Sequence, residues 1–292
     1  MAWLQLTLHV TAQQSEAASE ALEEMGAIAV TLEDAAGEIV IETHWDQTPL
    51  WSKVCLSALL PEDTDLAAVE TLLMQRLEMA EPPALRIVRV EDQDWAQAWK
   101  QHYKPLHMGG RLWVVPSWCE PPDPNAVNVI LDPGLAFGTG DHPTTALCLE
   151  WLAVQDPSGK IVLDYGCGSG ILAIAALKLG AAKAYAVDLD EQSLVVAREN
   201  AERNGVAERL TISLPNALPD DFQADIVMAN ILARALIELS PTLTRHTKSG
   251  GGLVMSGLLL DQGDMVLPYY RPSFRLTRQE RQNWISLSGT RT

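Results

Sequence analysis

Cysteine is scarce in this chain, and so is positive charge. The four cysteines, Cys55, Cys119, Cys148 and Cys167, show neither Cys-x-x-Cys nor Cys/His spacing. A disulfide framework and a structural metal cluster are therefore not expected. Reduced thiols buried in a cytoplasmic protein are. No apolar run reaches the roughly 18 residues of a membrane span, and no basic-plus-apolar leader opens the chain. Neither a membrane anchor nor a secretory signal is expected. Lys and Arg number 21 against 38 Asp and Glu, a net charge of −17. No basic stripe is present, which argues against direct nucleic-acid binding. The imbalance is uneven. Residues 1–100 hold 18 acids and 5 bases, whereas residues 101–292 hold 20 and 16. Such a first third repels phosphates and attracts basic partners, although solubility alone would also account for it. No internal repeat or low-complexity tract appears.

What remains is an ordinary soluble composition, 47% hydrophobic and 20% charged, in 292 residues. That is long enough for two domains with ample cores. Residues 161–170 read IVLDYGCGSG. A short apolar run ends in Asp164, glycines follow at Gly166, Gly168 and Gly170, and an apolar helix begins at Ile171. A second strand, Ala184–Val187, ends in Asp188. Strand, glycine turn, helix, strand and acid form the skeleton of a nucleotide-binding half-fold. The glycines let the backbone approach a ligand, and the helix start offers N–H groups. Asp188 is placed to accept both hydroxyl hydrogens of a ribose. Dinucleotide folds use G-x-G-x-x-G to seat a pyrophosphate. Here an acid stands two residues before the first glycine, where it would repel a diphosphate and suit a cation such as the amino group of S-adenosylmethionine. A bare tight turn and a nicotinamide site are the alternatives.

A second glycine-rich stretch, residues 132–145 (DPGLAFGTGDHPTT), precedes a helix. Such a loop is costly in entropy unless something binds it. Pro143 suits the first turn, and Asp141 or His142 suits the cap. Thr144 and Thr145 present hydroxyls where a ligand carboxylate would sit. His142 is a candidate acid or base, with capping as its plainer role. Phe137 either lies over the ligand or packs. Asn230, ending a strand inside MANILA, is placed to orient an amine through its side-chain carbonyl; closing a turn is the alternative. Asn216, past the preceding strand, borders an adenine edge or belongs to a plain loop.

The first third alternates apolar and helical segments. It has strands at 3–10, 28–32, 38–43, 54–59 and 85–90, and helices at 15–25 and 66–79. This is close to β-α-β-β-α-β with one extra strand, a ferredoxin-like α+β unit without a catalytic constellation. Glu91–Tyr103 reads as a connecting helix. From about residue 146, strands and helices alternate up to a closing pair of strands. They predict an α/β, doubly wound seven-stranded Rossmann-like sheet with an antiparallel edge. Asp164, Asp188, Asn216 and Asn230 all fall at or just past strand C-termini, where ligands bind in such sheets.

The 161–188 segment resembles the class I S-adenosylmethionine methyltransferases. DPGLAFGTGDHPTT together with ANILA resembles, more narrowly, the bacterial ribosomal protein L11 methyltransferases, and the likeness runs over the whole chain. It implies a cytoplasmic protein N-methyltransferase using S-adenosylmethionine. Its targets would be lysine side-chain amines and the N-terminal amine of a ribosomal large-subunit protein, and the acidic first third favours a basic substrate that is free rather than ribosome-bound. Carried over by motif, Thr145, Gly166, Asp188 and Asn230 are implied cofactor contacts. The layout implies a ferredoxin-like substrate-recognition domain at 1–91, a linker helix at 92–108 and a methyltransferase domain at 109–292. A class I methyltransferase acting on another protein, RNA or a small molecule is the alternative.

Overall fold

The computed structural model describes residues 2–35, 51–90, 103–132 and 140–292. The chain divides into two compact units, residues 1–101 and 102–292.

In the first unit, strands β1 (Trp3–Thr11), β2 (Ala29–Asp34), β3 (Lys53–Pro61) and β4 (Arg86–Val90) form an antiparallel sheet in the order β2-β3-β1-β4. Helices α1 (Ala12–Glu24) and α2 (Leu66–Arg76) connect its strands. Alternation along β1 buries Leu6, Leu8 and Val10, and alternation along β3 buries Val54, Leu56, Ala58 and Leu60. These pack with Ala18, Leu22, Val69 and Leu73 of the helices in one core. The order β-α-β-β-α-β is the one expected. The extra strand expected at 38–43 lies outside the described residues.

The connecting helix expected over 92–108 lies outside the described residues as far as 102. Its last part is not helical. Residues 106–107 form strand β5 (Leu106–His107), because Pro105 lacks an N–H and turns residue 104 away from helical geometry. β5 pairs antiparallel with β6 (Leu112–Val115), which pairs parallel with β7 (Val127–Ile130).

The rest of the second unit is doubly wound. The elements are α3 (Pro143–Val154), β8 (Ile161–Tyr165), α4 (Ile171–Lys178), β9 (Lys183–Val187), α5 (Glu191–Arg203), β10 (Leu210–Ser213) and β11 (Ala224–Asn230). They continue with α6 (Ala233–Glu238), α7 (Ser240–His246), β12 (Thr247–Leu259), α8 (Gly263–Tyr270), β13 (Phe274–Arg281) and β14 (Trp284–Arg291). One helix was expected over 233–243; Pro241 divides it, since its ring cannot donate within a helix interior. The sheet order is β10-β9-β8-β11-β12-β14-β13, parallel from β10 to β12, with β14 antiparallel to both its neighbours.

Successive strand residues face opposite layers. Val162, Ile226 and Met228 pack toward α3 and α4, whereas Leu163, Val227 and Ala229 pack toward α6, α7 and α8. The order of winding reverses between β8 and β11, so their C-terminal ends open a crevice.

Candidate functional site

The register of the sheet gathers three polar side chains at one edge. Asp164 of β8 is paired with Met228 of β11 and with Ala186 of β9. Asn230 and Asp188 each lie two residues farther along those neighbours. The sequence-predicted row of strand-end residues is therefore a spatial row, with Asp164 between the other two.

The glycine turn leaves β8 in a left-handed conformation, with φ of 76° at Gly166, 51° at Gly168 and 77° at Gly170. A side chain at Gly170 would press on Ala197 of α5 at 3.0 Å, so this glycine allows two helices to approach. The turn is tied to β9 by Gly166 and Cys167, whose N–H groups donate to the Val187 carbonyl at 2.8 and 3.1 Å. The Gly170 N–H closes the turn on the Cys167 carbonyl at 2.8 Å, and two further amides go to carboxylates. Gly168 donates to Asp188 Oδ2 at 2.8 Å, and Ala173, in the first turn of α4, donates to Asp164 Oδ2 at 3.1 Å. Amides already taken by two acids do not form a nest for a pyrophosphate, which weighs against the nicotinamide alternative.

Asp164 is fully buried, and its Oδ1 has no partner among the described residues. Burial pushes its carboxyl up to about 7; the Ala173 N–H opposes the rise and the Asp188 carboxylate adds to it. The neighbouring thiols of Cys148 and Cys167 are pushed up by burial, and Asp164 adds to both shifts. Thiols held protonated in this way are poor nucleophiles. Asp188 is half-buried. Its Oδ1 accepts from the Asp190 N–H at 3.1 Å, so the carboxylate is oriented by two backbone donors.

On the other side of Asp164, the Asn230 Nδ2 donates to Thr145 Oγ1 at 3.2 Å. This bond joins β11 to the first turn of α3. The Asn230 Oδ1 is buried and has no partner among the described residues. Thr144 and Thr145 are fully buried. His142 is the N-cap of α3. Its Nδ1 lies 2.7 Å from Thr144 Oγ1 and accepts weakly from the Thr144 N–H at 3.4 Å. Burial lowers the imidazole pKa while Asp141 pulls it upward. The capping role expected for His142 is thus present.

Asn216 sits in a short 3-10 turn after β10, exposed, on a cleft of about 500 Å³ shared with Tyr165, Leu218 and Arg245. Phe137 lies outside the described residues. Two residues absent from the sequence reading also belong here. Trp284 of β14 meets the His142 ring edge-on, with centroids 4.8 Å apart. Ile231 lies against both Gly166 and Gly257. Neither has a local signature, because each contact depends on which strands become neighbours.

Among the described residues, no cluster of His, Cys, Asp and Glu is arranged to hold a metal, and no helix is long and apolar enough to cross a membrane. Two orphaned oxygens flanking a glycine turn, beside an acid oriented by backbone donors, suit a ligand rich in N–H and O–H donors.

The family profile described as ribosomal protein L11 methyltransferase (PrmA) matches residues 2–292. A protein of Shewanella sediminis named ribosomal protein L11 methyltransferase is 47% identical over 292 residues, covering 100% of both chains. A protein of that name from Histophilus somni strain 129Pt is 48% identical over 290 residues, covering 99% of this chain and 98% of its own. The crystal structure of a ribosomal protein L11 methylase from Lactobacillus delbrueckii subsp. bulgaricus is 34% identical, with a TM-score of 0.60. It covers 65% of this chain and 100% of its own.

Proposed function

This chain belongs to the ribosomal protein L11 methyltransferase family, and from that membership we propose that it methylates amine nitrogens of ribosomal protein L11. The donor is S-adenosylmethionine, and the targets are lysine side-chain amines and the N-terminal α-amine. The observation that carries the reading is the buried Oδ1 of Asn230 at the switch point of the sheet, without a partner among the described residues. An amine N–H is the donor that would satisfy it.

The residues fit the cofactor. The orphaned Asp164 oxygen suits an ammonium, and the oriented Asp188 carboxylate suits a pair of ribose hydroxyls. The Gly166–Gly170 turn leaves room for close approach, Thr144 and Thr145 suit a carboxylate, and Asn216 borders the adenine. S-adenosylmethionine supplies an electrophilic methyl group, so the work of the protein is placement. A lysine must be neutral to attack, and its ordinary pKa is about 10.4. Removal from water depresses that value. An α-amine starts near 8 and needs less help. Asn230 holds one amine hydrogen through its Oδ1 and so aims the nitrogen lone pair away from itself. The proton released after transfer leaves to water, with His142 as the candidate to accept it. The ferredoxin-like domain, residues 1–91, docks the basic substrate, and residues 92–108 link it to the methyltransferase domain. The chain acts in the cytoplasm, on free L11.

Asn230→Ala tests the assignment. Turnover should fall by about 100-fold or more, as for loss of an aligning group, while cofactor affinity from calorimetry changes by roughly severalfold. Full turnover with intact cofactor binding would overturn it. His142→Gln should shift the pH–rate profile; an unchanged profile removes that residue from proton transfer. Mass spectrometry of L11 incubated with the enzyme and cofactor identifies the amines modified.

A further inference from the structure

We propose that Gly257 is a positioning residue for Asn230, acting through the Ile231 backbone that lies across it. The inference rests on the reading of Asn230 given above. Gly257 belongs to no nucleotide-binding motif. It lies in β12 where the pairing with β14 shifts between Met255 and Leu258, and its φ is +85°. A Cβ built there would stand 2.4 Å from the Ile231 carbonyl oxygen, 2.8 Å from its carbonyl carbon and 3.1 Å from its nitrogen. All three are backbone atoms, so no rotamer relieves the clash. To reach even 3.0 Å the carbonyl oxygen must retreat by 0.6 Å, the difference between 3.0 and the 2.4 Å contact.

The peptide groups on both sides of Ile231 would move, and the first of them is the Asn230–Ile231 peptide. Retreat is blocked on the side-chain flank. A Cβ on Gly166 would stand 2.3 Å from Ile231 Cγ2, so Ile231 already fills the space beside the glycine turn. The strand beneath is fixed as well. Asn230 is in register with Ser256, whose Oγ donates to the Ile285 carbonyl at 2.8 Å in a buried position. Ile231 is thereby held between a glycine of the cofactor turn and a glycine of β12. The Asn230 amide inherits its placement from that grip, together with its bond to Thr145.

The test is a mutant cycle in the full-length enzyme with L11 as acceptor. Gly257→Ala should lower kcat by about 10- to 100-fold, the effect of a sub-ångström misplacement of an aligning group. Cofactor Kd should stay within about threefold, because the Asp164 and Asp188 contacts are untouched. In the Asn230→Ala background the same substitution should have little further effect on kcat, since coupled residues are non-additive. Ile231→Ala adds no atom, removes the wedge against Gly166, and should lower kcat more mildly with the same dependence on Asn230. If Gly257→Ala does not fold, Ile231→Ala and its double variant decide. Wild-type kcat in the variant that folds would overturn the proposal, as would a loss that multiplies in full with that of Asn230→Ala. Full turnover of Asn230→Ala alone overturns both the proposal and the reading beneath it, and is recognised in that single variant.

Discussion

Asp164, at the end of an apolar strand, is completely buried and accepts from a single backbone N–H. The folded carboxyl titrates at about 7 rather than at its ordinary 3.8, so the fold favours the neutral form. Below 3.8 the group is neutral in both folded and unfolded chains. Between 3.8 and about 7 only the unfolded chain ionises, so its contribution to stability is lost as pH rises through that window. Asp164→Asn removes this slope. The melting temperature of the variant should gain on that of the wild type as pH rises through the same window. An ammonium at Oδ1 favours the charged form, so cofactor binding should tighten between about pH 6 and 8 with release of a proton. Calorimetry in buffers of different ionisation enthalpy reads that proton, and Asp164→Asn should abolish it. Asp188 and Asn230 were legible for the same reason as Asp164, a polar side chain at the end of an apolar run. Ile231 and Gly257 were not. Their meeting is set by the register of β11 on β12, more than twenty residues away in the chain.

At the level of elements, the alternation of strands and helices after residue 146 was readable because both faces of a parallel sheet are buried and glycines punctuate each turn. Prolines account for the two departures, at Pro105 and at Pro241. The small β5-β6-β7 sheet as a unit was not readable, since two-residue β5 carries no periodicity. What docks that sheet is Asn204 at the end of α5. Its Oδ1 accepts from the Ile130 N–H at 2.8 Å and its Nδ2 donates to the Ile130 carbonyl at 2.7 Å, imitating a neighbouring strand. The next contacts lead toward the DPGLAFGTGDHPTT stretch. Asp132 accepts from the N–H and hydroxyl of Ser117 at 2.7 and 2.9 Å, with Arg203 at 3.6 Å. Asn204→Ala orphans two backbone groups and should destabilise the second unit by about 3 kcal/mol. For a unit of this size that lowers its melting temperature by roughly 6–12 °C in calorimetry.

For the molecule as a whole, length and the change of strand and helix pattern pointed to two units, and the charge contrast along the chain was legible in composition. The first third carries most of the negative charge. A basic substrate docking there should show a Michaelis constant for L11 that rises with salt between about 50 and 300 mM, where screening shortens to under a nanometre. The constant for S-adenosylmethionine, whose proposed contacts all lie in the second unit, should change far less. A salt-independent constant for L11 would remove the acidic unit from recognition. Composition carries no information on sheet order, because the last strand could as well have joined the outer edge.

That strand instead lies inside. β14 takes the place between β12 and β13, and β13, made first, touches the sheet only through it. The order of synthesis and the order of assembly therefore differ. Until residues 284–291 pair between them, β12 has an open flank and β13 has nowhere to attach. A chain interrupted at residue 283 forfeits two strands rather than one, and with them the floor under Ser256. Competence to transfer a methyl group would arrive abruptly with residues 284–291, not gradually as the preceding strands and helices are made.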